Sequence, residues 1–111
     1  DILSDTSSVL YMISSYDLRK ASDKGMKRVL AFADKAAENG ARVIFITASS
    51  VANCASFMEK YKTGNIVFYS ADDKAIKTML RSNPGVVKID KGRVADKWSW
   101  RNLPEPTEYF K

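Results

Sequence analysis

The sequence predicts an α/β domain built on a mixed sheet, and three features of its pattern indicate this class. Residues 8–14 and 41–49 are nearly continuous apolar runs, as expected for strands buried on both faces. Helical periodicity follows each run, and such alternation requires crossover connections between parallel strands. Two further apolar runs, 86–90 and 93–100, flank a turn at Lys91-Gly92. The expected order is βαβαβα followed by a β-hairpin, with helices on both faces of the sheet.

The first helix is expected between Ser22 and Asn39, where apolar residues recur at three- and four-residue steps. Its predicted inward face consists of Met26, Val29, Leu30, Ala33 and Ala37. Gly40 is typical of the residue that ends a helix. Either Asp17 or Ser22 could be the N-cap, because both side chains carry an oxygen acceptor.

The remaining elements follow in the same way. Ser50 is expected to cap a second helix that ends near Gly64, and residues 65–70 form the third strand. The predicted apolar face of that helix consists of Val51, Cys54, Phe57, Met58 and Tyr61. Asp72 then caps a short basic helix. The residues that this helix turns inward are Ile76, Met79 and Leu80.

Composition describes a single ordinary globular domain and excludes several classes of function. The chain has 111 residues, a formal net charge of +5, one cysteine and no histidine. The basic residues are spread among acids over every element, so no nucleic acid partner is expected. Without histidine or a second cysteine, neither an internal disulfide nor a metal site is expected. No phosphate-cradling glycine motif is present, and no cofactor is predicted.

The segment "NPGVVKIDKGRV" places Pro84 immediately before the hairpin. With the strand order, this arrangement resembles the thioredoxin fold, and most closely its membrane-tethered thiol-disulfide and peroxiredoxin branch, over residues 9–98. The resemblance implies a cis Asn83–Pro84 bond that lies beside the redox motif. At the first position of a strand, proline removes no donor from the sheet ladder.

The redox motif of that family is not retained. When the motif is laid on "MISSYDLRKAS", Tyr16 takes the aromatic position, Asp17 the attacking cysteine and Lys20 the resolving cysteine. Dithiol exchange needs both sulfurs, so no catalytic residue is expected here. Asp17 and Lys20 could present a carboxylate and an ammonium to a cleft. The alternative is that they are only a solvated helix end, an acidic N-cap with a lysine one turn further on. Cys54 is the one remaining thiol, and we expect it to be a buried, inert side chain with a raised pKa.

A narrower resemblance concerns residues 76–104. The phrase "RSNPG" and the ending "KWSWRNLP" are similar to the C-terminal soluble domain of DoxX-type bacterial membrane proteins. This implies that the chain is the C-terminal part of a longer protein anchored in the bacterial inner membrane, with either side of the membrane open. Its own membrane domain would then be one partner, and its basic surface could contact anionic headgroups.

These observations favour a non-catalytic interaction module with a degenerate redox site. Its cleft, between loop 16–20 and Asn83–Pro84, would hold an extended peptide by strand addition. Trp98, Trp100 and Arg101 are further candidates, since both tryptophans would project from one face of a strand. Alternatively, the tryptophans close one end of the core. The competing enzyme hypothesis is a redox protein that acts through Cys54 with an external thiol.

Overall fold

The computed structural model describes residues 9–61, 66–80 and 82–110. Its elements are β1 (Val9–Ser15), α1 (Asp23–Glu38), β2 (Arg42–Thr47), α2 (Val51–Tyr61), β3 (Val67–Ser70), α3 (Asp73–Met79), β4 (Gly85–Asp90), β5 (Arg93–Ser99) and α4 (Pro106–Tyr109), with a 3-10 turn at Trp100–Asn102. The predicted order is confirmed. The expected end of the second helix near Gly64 lies outside the described residues.

The five strands form one mixed sheet in the order β3-β2-β1-β4-β5. β1 pairs in parallel with β2 and antiparallel with β4, so it lies at the centre. Two successive crossovers step in one direction, which places α1 and α2 on the same face of the sheet. The short helix α3 connects β3 to β4 across the opposite face, where Met79 and Leu80 pack on the sheet. Helices therefore cover both faces, as expected.

An aromatic cluster fills the core on the α1 side. Phe32 is 1% exposed, and four rings surround it with centroid distances of 5.0–5.8 Å. These rings belong to Tyr11, Trp98, Tyr109 and Phe110. The rings come from β1, β5 and the C-terminal segment, so the core closes only when both ends of the chain meet on α1.

The inward face of α1 differs from the prediction at one end. Ala36 is fully buried, whereas Ala37 is exposed and Leu30 is half-buried. The buried stripe runs through Val29, Phe32 and Ala36, and one residue further along turns the side chain about 100° away from the sheet. The prediction of Ala37 as a core residue was wrong for this reason.

Capping side chains set where the helices begin. Ser22, not Asp17, is the N-cap of α1, and its Oγ accepts a hydrogen bond from the Gly25 amide at 3.0 Å. The predicted caps of the other helices are confirmed: Ser50 Oγ accepts from the Asn53 amide at 3.2 Å, and Asp72 caps α3. Asp17 therefore lies in a separate loop before α1 and does not cap the helix.

The apolar face of α2 was predicted too wide. Phe57 is buried against Phe45 and Phe68, with ring centroids 5.2 and 5.9 Å away. Val51, however, is 87% exposed. It is the first residue of the helix, and the aromatic side chains of α2 that pack on this core, Phe57 and Tyr61, lie in its second half.

Gly25 supports a test of how α1 meets the 3-10 turn. A Cβ at this position would lie 2.6 Å from ring atoms of Trp100. Alanine ordinarily favours a helix over glycine by about 1 kcal/mol. We expect Gly25→Ala instead to lower the free energy of unfolding by about 1–3 kcal/mol in urea titrations, because the rigid ring must move. In a Trp100→Ala background the same change should become neutral or stabilising. Equal effects in both backgrounds would contradict the contact.

Candidate functional site

Asn83 joins three segments at one corner of the sheet. Its Oδ1 accepts a hydrogen bond from Ser15 Oγ at 2.5 Å, and its Nδ2 donates to the Asp17 carbonyl at 2.9 Å. The Asn83 carbonyl accepts from the Ser22 amide at 3.2 Å. The Asn83–Pro84 bond is cis, as the sequence predicted. The end of β1, loop 16–20 and the start of α1 are thereby held against the residue that precedes β4.

Within loop 16–20, the Asp17 side chain contacts Arg19, and the Tyr16 side chain contacts Lys77 of α3. Asp17 Oδ1 accepts from the Arg19 amide at 2.9 Å and from Arg19 Nε at 3.4 Å. Burial tends to raise the pKa of Asp17, but these hydrogen bonds outweigh it and hold the pKa below its usual value. Lys77 Nζ lies 4.7 Å from the centroid of the Tyr16 ring, and Lys20 is exposed. At neutral pH the position expected for the attacking cysteine is therefore an ionised, hydrogen-bonded carboxylate.

A polar cavity of about 580 Å³ opens beside this loop. The lining residues lie just after β1, β2 and β3 or at the start of α2 and α3: Tyr16, Asp17, Arg19, Ala48, Ser49, Ser50, Asn53, Ala71, Asp72 and Asp73. Ser49 also ties the loop in place, since its Oγ accepts from the Leu18 amide at 2.8 Å. The structure thus brings Tyr16 and Asp17 to a cavity whose other walls the sequence interpretation missed. The cleft was expected between loop 16–20 and Asn83–Pro84, but Lys20, Asn83 and Pro84 do not line this cavity.

A signal for the missed residues was present in the sequence. The carboxyl ends of neighbouring parallel strands meet at one sheet edge, which is where ligands of open α/β sheets commonly bind. Ser49 and Ser50 directly follow the second strand, and Asp72 and Asp73 follow the third. We could therefore have grouped them with Asp17 from strand order alone.

The tryptophans lie elsewhere, on the α1 side of the sheet. The Trp98 ring packs 5.8 Å from Phe32, and the Trp100 ring lies over Gly25. Strand β5 ends at Ser99, so Trp100 begins the 3-10 turn instead of continuing the strand. Both rings pack against the aromatic core, and Arg101 is exposed with its guanidinium 4.7 Å from the Trp100 ring. None of these three residues lines the polar cavity.

Hydrogen bonds of the Ser82 side chain nevertheless connect the Trp100 main chain to the proline corner at Asn83–Pro84. Ser82 Oγ donates to the Pro84 carbonyl at 2.7 Å and accepts from the Trp100 amide at 3.4 Å. The packing of Trp100 on Gly25 of α1 therefore holds the main chain to which Ser82 and the proline corner are hydrogen-bonded.

Cys54 is half-buried on α2 and borders a different, smaller cavity of about 220 Å³. Val51, Phe68 and Tyr69 are among the neighbours that line it. Burial raises the pKa of the thiol, which lowers the fraction of thiolate at neutral pH. Within residues 9–61, 66–80 and 82–110, no cluster of three acidic or sulfur side chains is arranged to hold a metal ion.

No protein-family model and no curated protein sequence matches this chain. Solved structures do. An uncharacterized thioredoxin-like protein from Porphyromonas gingivalis aligns with a TM-score of 0.63 and 14% identity over 95% of this chain and 72% of its own. A secreted disulfide oxidoreductase of Mycobacterium tuberculosis aligns at 0.64 and 16% identity, over 93% and 78%. A proposed thiol-disulfide oxidoreductase from Bacteroides vulgatus aligns at 0.58 and 11%, over 95% and 70%.

These similarities establish the fold. The chain has a thioredoxin-like α/β fold with a five-stranded mixed sheet, as the sequence predicted. Identities of 11–16% support the fold alone. The oxidoreductase descriptions belong to the neighbouring structures. This chain has the same fold, and its sequence contains one cysteine.

Removal of the Asn83 side chain tests the corner. Asn83→Ala deletes two hydrogen bonds and leaves the fully buried Ser15 hydroxyl without this partner, so we expect the free energy of unfolding to fall by about 2 kcal/mol in urea titrations. Asn83→Asp keeps the acceptor for Ser15 but loses the donor to the Asp17 carbonyl, and should also destabilise. The exposed Asn102→Ala is the control, with an effect within about 0.5 kcal/mol. Equal effects of the two alanine variants would refute the role of the corner.

Alkylation of Cys54 tests the single-cysteine redox hypothesis. Because its pKa is raised and its thiol half-buried, iodoacetamide should modify the folded chain at least about tenfold more slowly than the urea-unfolded chain at neutral pH, by intact mass. The rate should rise as the pH passes above the ordinary thiol pKa. Fast stoichiometric modification of the folded chain would instead favour a reactive cysteine.

Proposed function

We propose that this chain is a non-catalytic, thioredoxin-like interaction module that binds an extended segment of a partner protein beside loop 16–20. One observation supports this most directly. The Asn83 side chain holds loop 16–20 against the segment before β4, and a polar cavity of about 580 Å³ opens beside that loop, yet no thiol lines this cavity.

The sulfur chemistry argues against dithiol exchange. The sequence contains one cysteine, whereas one sulfur must form the mixed disulfide and a second must resolve it. That cysteine borders the smaller cavity, and its thiol has a raised pKa. An ionised carboxylate, Asp17, occupies the loop where the resemblance places the attacking cysteine.

The hydrogen bonds at the corner limit how a peptide could bind. The Asn83 carbonyl already accepts from the Ser22 amide, so a peptide amide would have to use the second lone pair of that oxygen. We therefore propose that main-chain contact with Asn83 orients the peptide and that one of its side chains enters the polar cavity. Three carboxylates and one guanidinium line the cavity. Arg19 pairs with Asp17 and Lys77 pairs with Asp73, so the charge of Asp72 remains in excess and favours a basic side chain over an acidic one.

Chemical-shift mapping with the isotope-labelled chain tests this proposal. Two pools of extended peptides, matched in length and apolar content, would carry either lysine and arginine or aspartate and glutamate. We expect the basic pool to shift amide resonances of Asp17, Ser49, Asn53 and Asn83. Asn53→Lys places a cation at the cavity wall and should weaken binding about tenfold or more.

The matched control is Glu59→Lys, an exposed position on the same helix that does not line the polar cavity, and its binding should be unchanged or nearly so. Shifts confined to Trp98 and Arg101, or none from either pool, would refute the proposed site.

We further propose a setting for this module from the DoxX resemblance, namely attachment to a bacterial membrane domain that is itself a partner. Among the described residues, no helix is both long and apolar enough to cross a membrane. Contact of the basic surface with anionic headgroups would add affinity of about 1 kcal/mol per nearby lysine or arginine. Co-sedimentation with anionic but not zwitterionic vesicles, lost at high salt, would support this contact, and no co-sedimentation would count against it.

A further inference from the structure

The two edges of the sheet differ in how they are protected. Edge strand β5 carries the exposed charges Arg93, Asp96 and Lys97, and its pairing with β4 is interrupted by a register shift at Lys88/Ile89. Charges and bulges of this kind block pairing with another strand. Edge strand β3 has the sequence Val-Phe-Tyr-Ser, with no charge, no proline and no such irregularity against β2. Of the two edges, only β3 lacks charges and a bulge, and its length of four residues limits how far it can pair.

The exposed face of β3 is apolar. Val67 is 55% exposed and Tyr69 is 43% exposed, and residues two apart on a strand lie on the same face. Val51, which is 87% exposed, lines the same small cavity as Tyr69. Three of the large exposed apolar side chains of the described chain are therefore at or next to this edge.

The direction of the main-chain groups of β3 follows from its pairing with β2. The Ala71 amide donates to the Thr47 carbonyl at 3.0 Å, and Thr47 is the register partner of Ser70. In a parallel ladder, the N–H and C=O of the residue between two such contacts point away from the partner strand. The main-chain groups of Ser70 and, two residues earlier, of Phe68 therefore point outward, and no strand among residues 9–61, 66–80 and 82–110 pairs with them.

We propose that this edge pairs with the β3 edge of a second copy of the chain, antiparallel, around a two-fold axis at Phe68. Phe68 would then face its own copy as a hydrogen-bonded pair, and Val67 would lie directly opposite Tyr69 of the second copy. The two five-stranded sheets would join into one continuous sheet. This surface is independent of the proposed peptide site, since neither Val67 nor Tyr69 lines the larger cavity.

Two requirements restrict the register, and the side-chain contacts favour one of the registers that remain. Residues that lie opposite one another in an antiparallel pair share a face. The faces of the two sheets therefore match only if each odd-numbered residue of β3 lies across from an odd-numbered residue of the second copy, as Val67 does across from Tyr69. Hydrogen bonding requires the outward groups of Phe68 and Ser70 to meet outward groups of the second copy, which holds for a pair centred at Phe68 or at Tyr69. Centring the pair at Phe68 satisfies both, and it creates aromatic–β-branched pairs, which are among the favourable cross-strand contacts.

A second copy fits this edge for a further reason. The strand carries no charge, so self-pairing brings no like charges together within it. The pairing spans four residues on each chain. Because typical stable interfaces bury about 1,600 Å² and involve about 20–30 residues on each side, this contact is small. We therefore expect a weak dimer whose population rises with concentration.

Sedimentation velocity over a concentration series to about 1 mM tests the pairing. The wild-type chain should show reversible dimerisation. Val67→Lys should raise the dissociation constant about tenfold or more, because both copies of the Val67–Tyr69 contact are lost. The matched control is Val94→Lys, at a valine that is 56% exposed on the opposite edge, and it should leave association unchanged. Circular dichroism and urea titration would establish that each variant folds.

Charge pairs test the register itself. The double variant Val67→Lys, Tyr69→Glu would place opposite charges across the axis, and the double variant Val67→Glu, Tyr69→Glu would place like charges there. The first should dimerise and the second should not. A wild-type chain that stays monomeric throughout, equal weakening by Val94→Lys, or equal association of the two double variants would overturn the proposal.

Discussion

The hydrogen bonds of Asn83 are the constraint on which the arrangement of the site depends. They connect the start of the hairpin to Ser15 at the end of β1 and to Asp17 in loop 16–20. These residues are 68 and 66 positions before Asn83 in the sequence. A primary amide suits this role because it donates and accepts at once, here to the Asp17 carbonyl and from the Ser15 hydroxyl. Since the loop forms one wall of the polar cavity, the cavity depends on this corner.

The aromatic core holds the corner in place from the other side. Phe32 lies among rings from β1, β5 and the C-terminal segment, and Trp100 packs on Gly25 of the same helix. From Trp100, hydrogen bonds through Ser82 reach the Pro84 carbonyl. The tryptophans therefore contribute to the site through packing and backbone position, which explains why they can matter to it without lining its cavity.

The thioredoxin-like fold here carries a polar cavity and an exposed apolar edge strand. Asp17 is ionised but its charge is engaged by Arg19, so it is better suited to hold a polar group than to transfer a proton. The cavity lies at the carboxyl ends of three strands, and the unprotected edge of β3 lies beside them. One sheet thus offers two separate surfaces, one polar and concave and one apolar and linear.

The sequence by itself determined the order of the elements, the caps at Ser50 and Asp72, the hairpin turn and the lack of a second thiol. These are local properties, because periodicity and capping depend on residues within about one turn of each other. Tertiary structure made Ser22, not Asp17, the N-cap of α1, buried Ala36 in place of Ala37, left Val51 in solvent and assembled the cavity. Periodicity locates a helix face only to within about one residue, and the neighbouring element decides which side chain is covered. The cavity walls follow three different strands, so only the packed sheet brings them together.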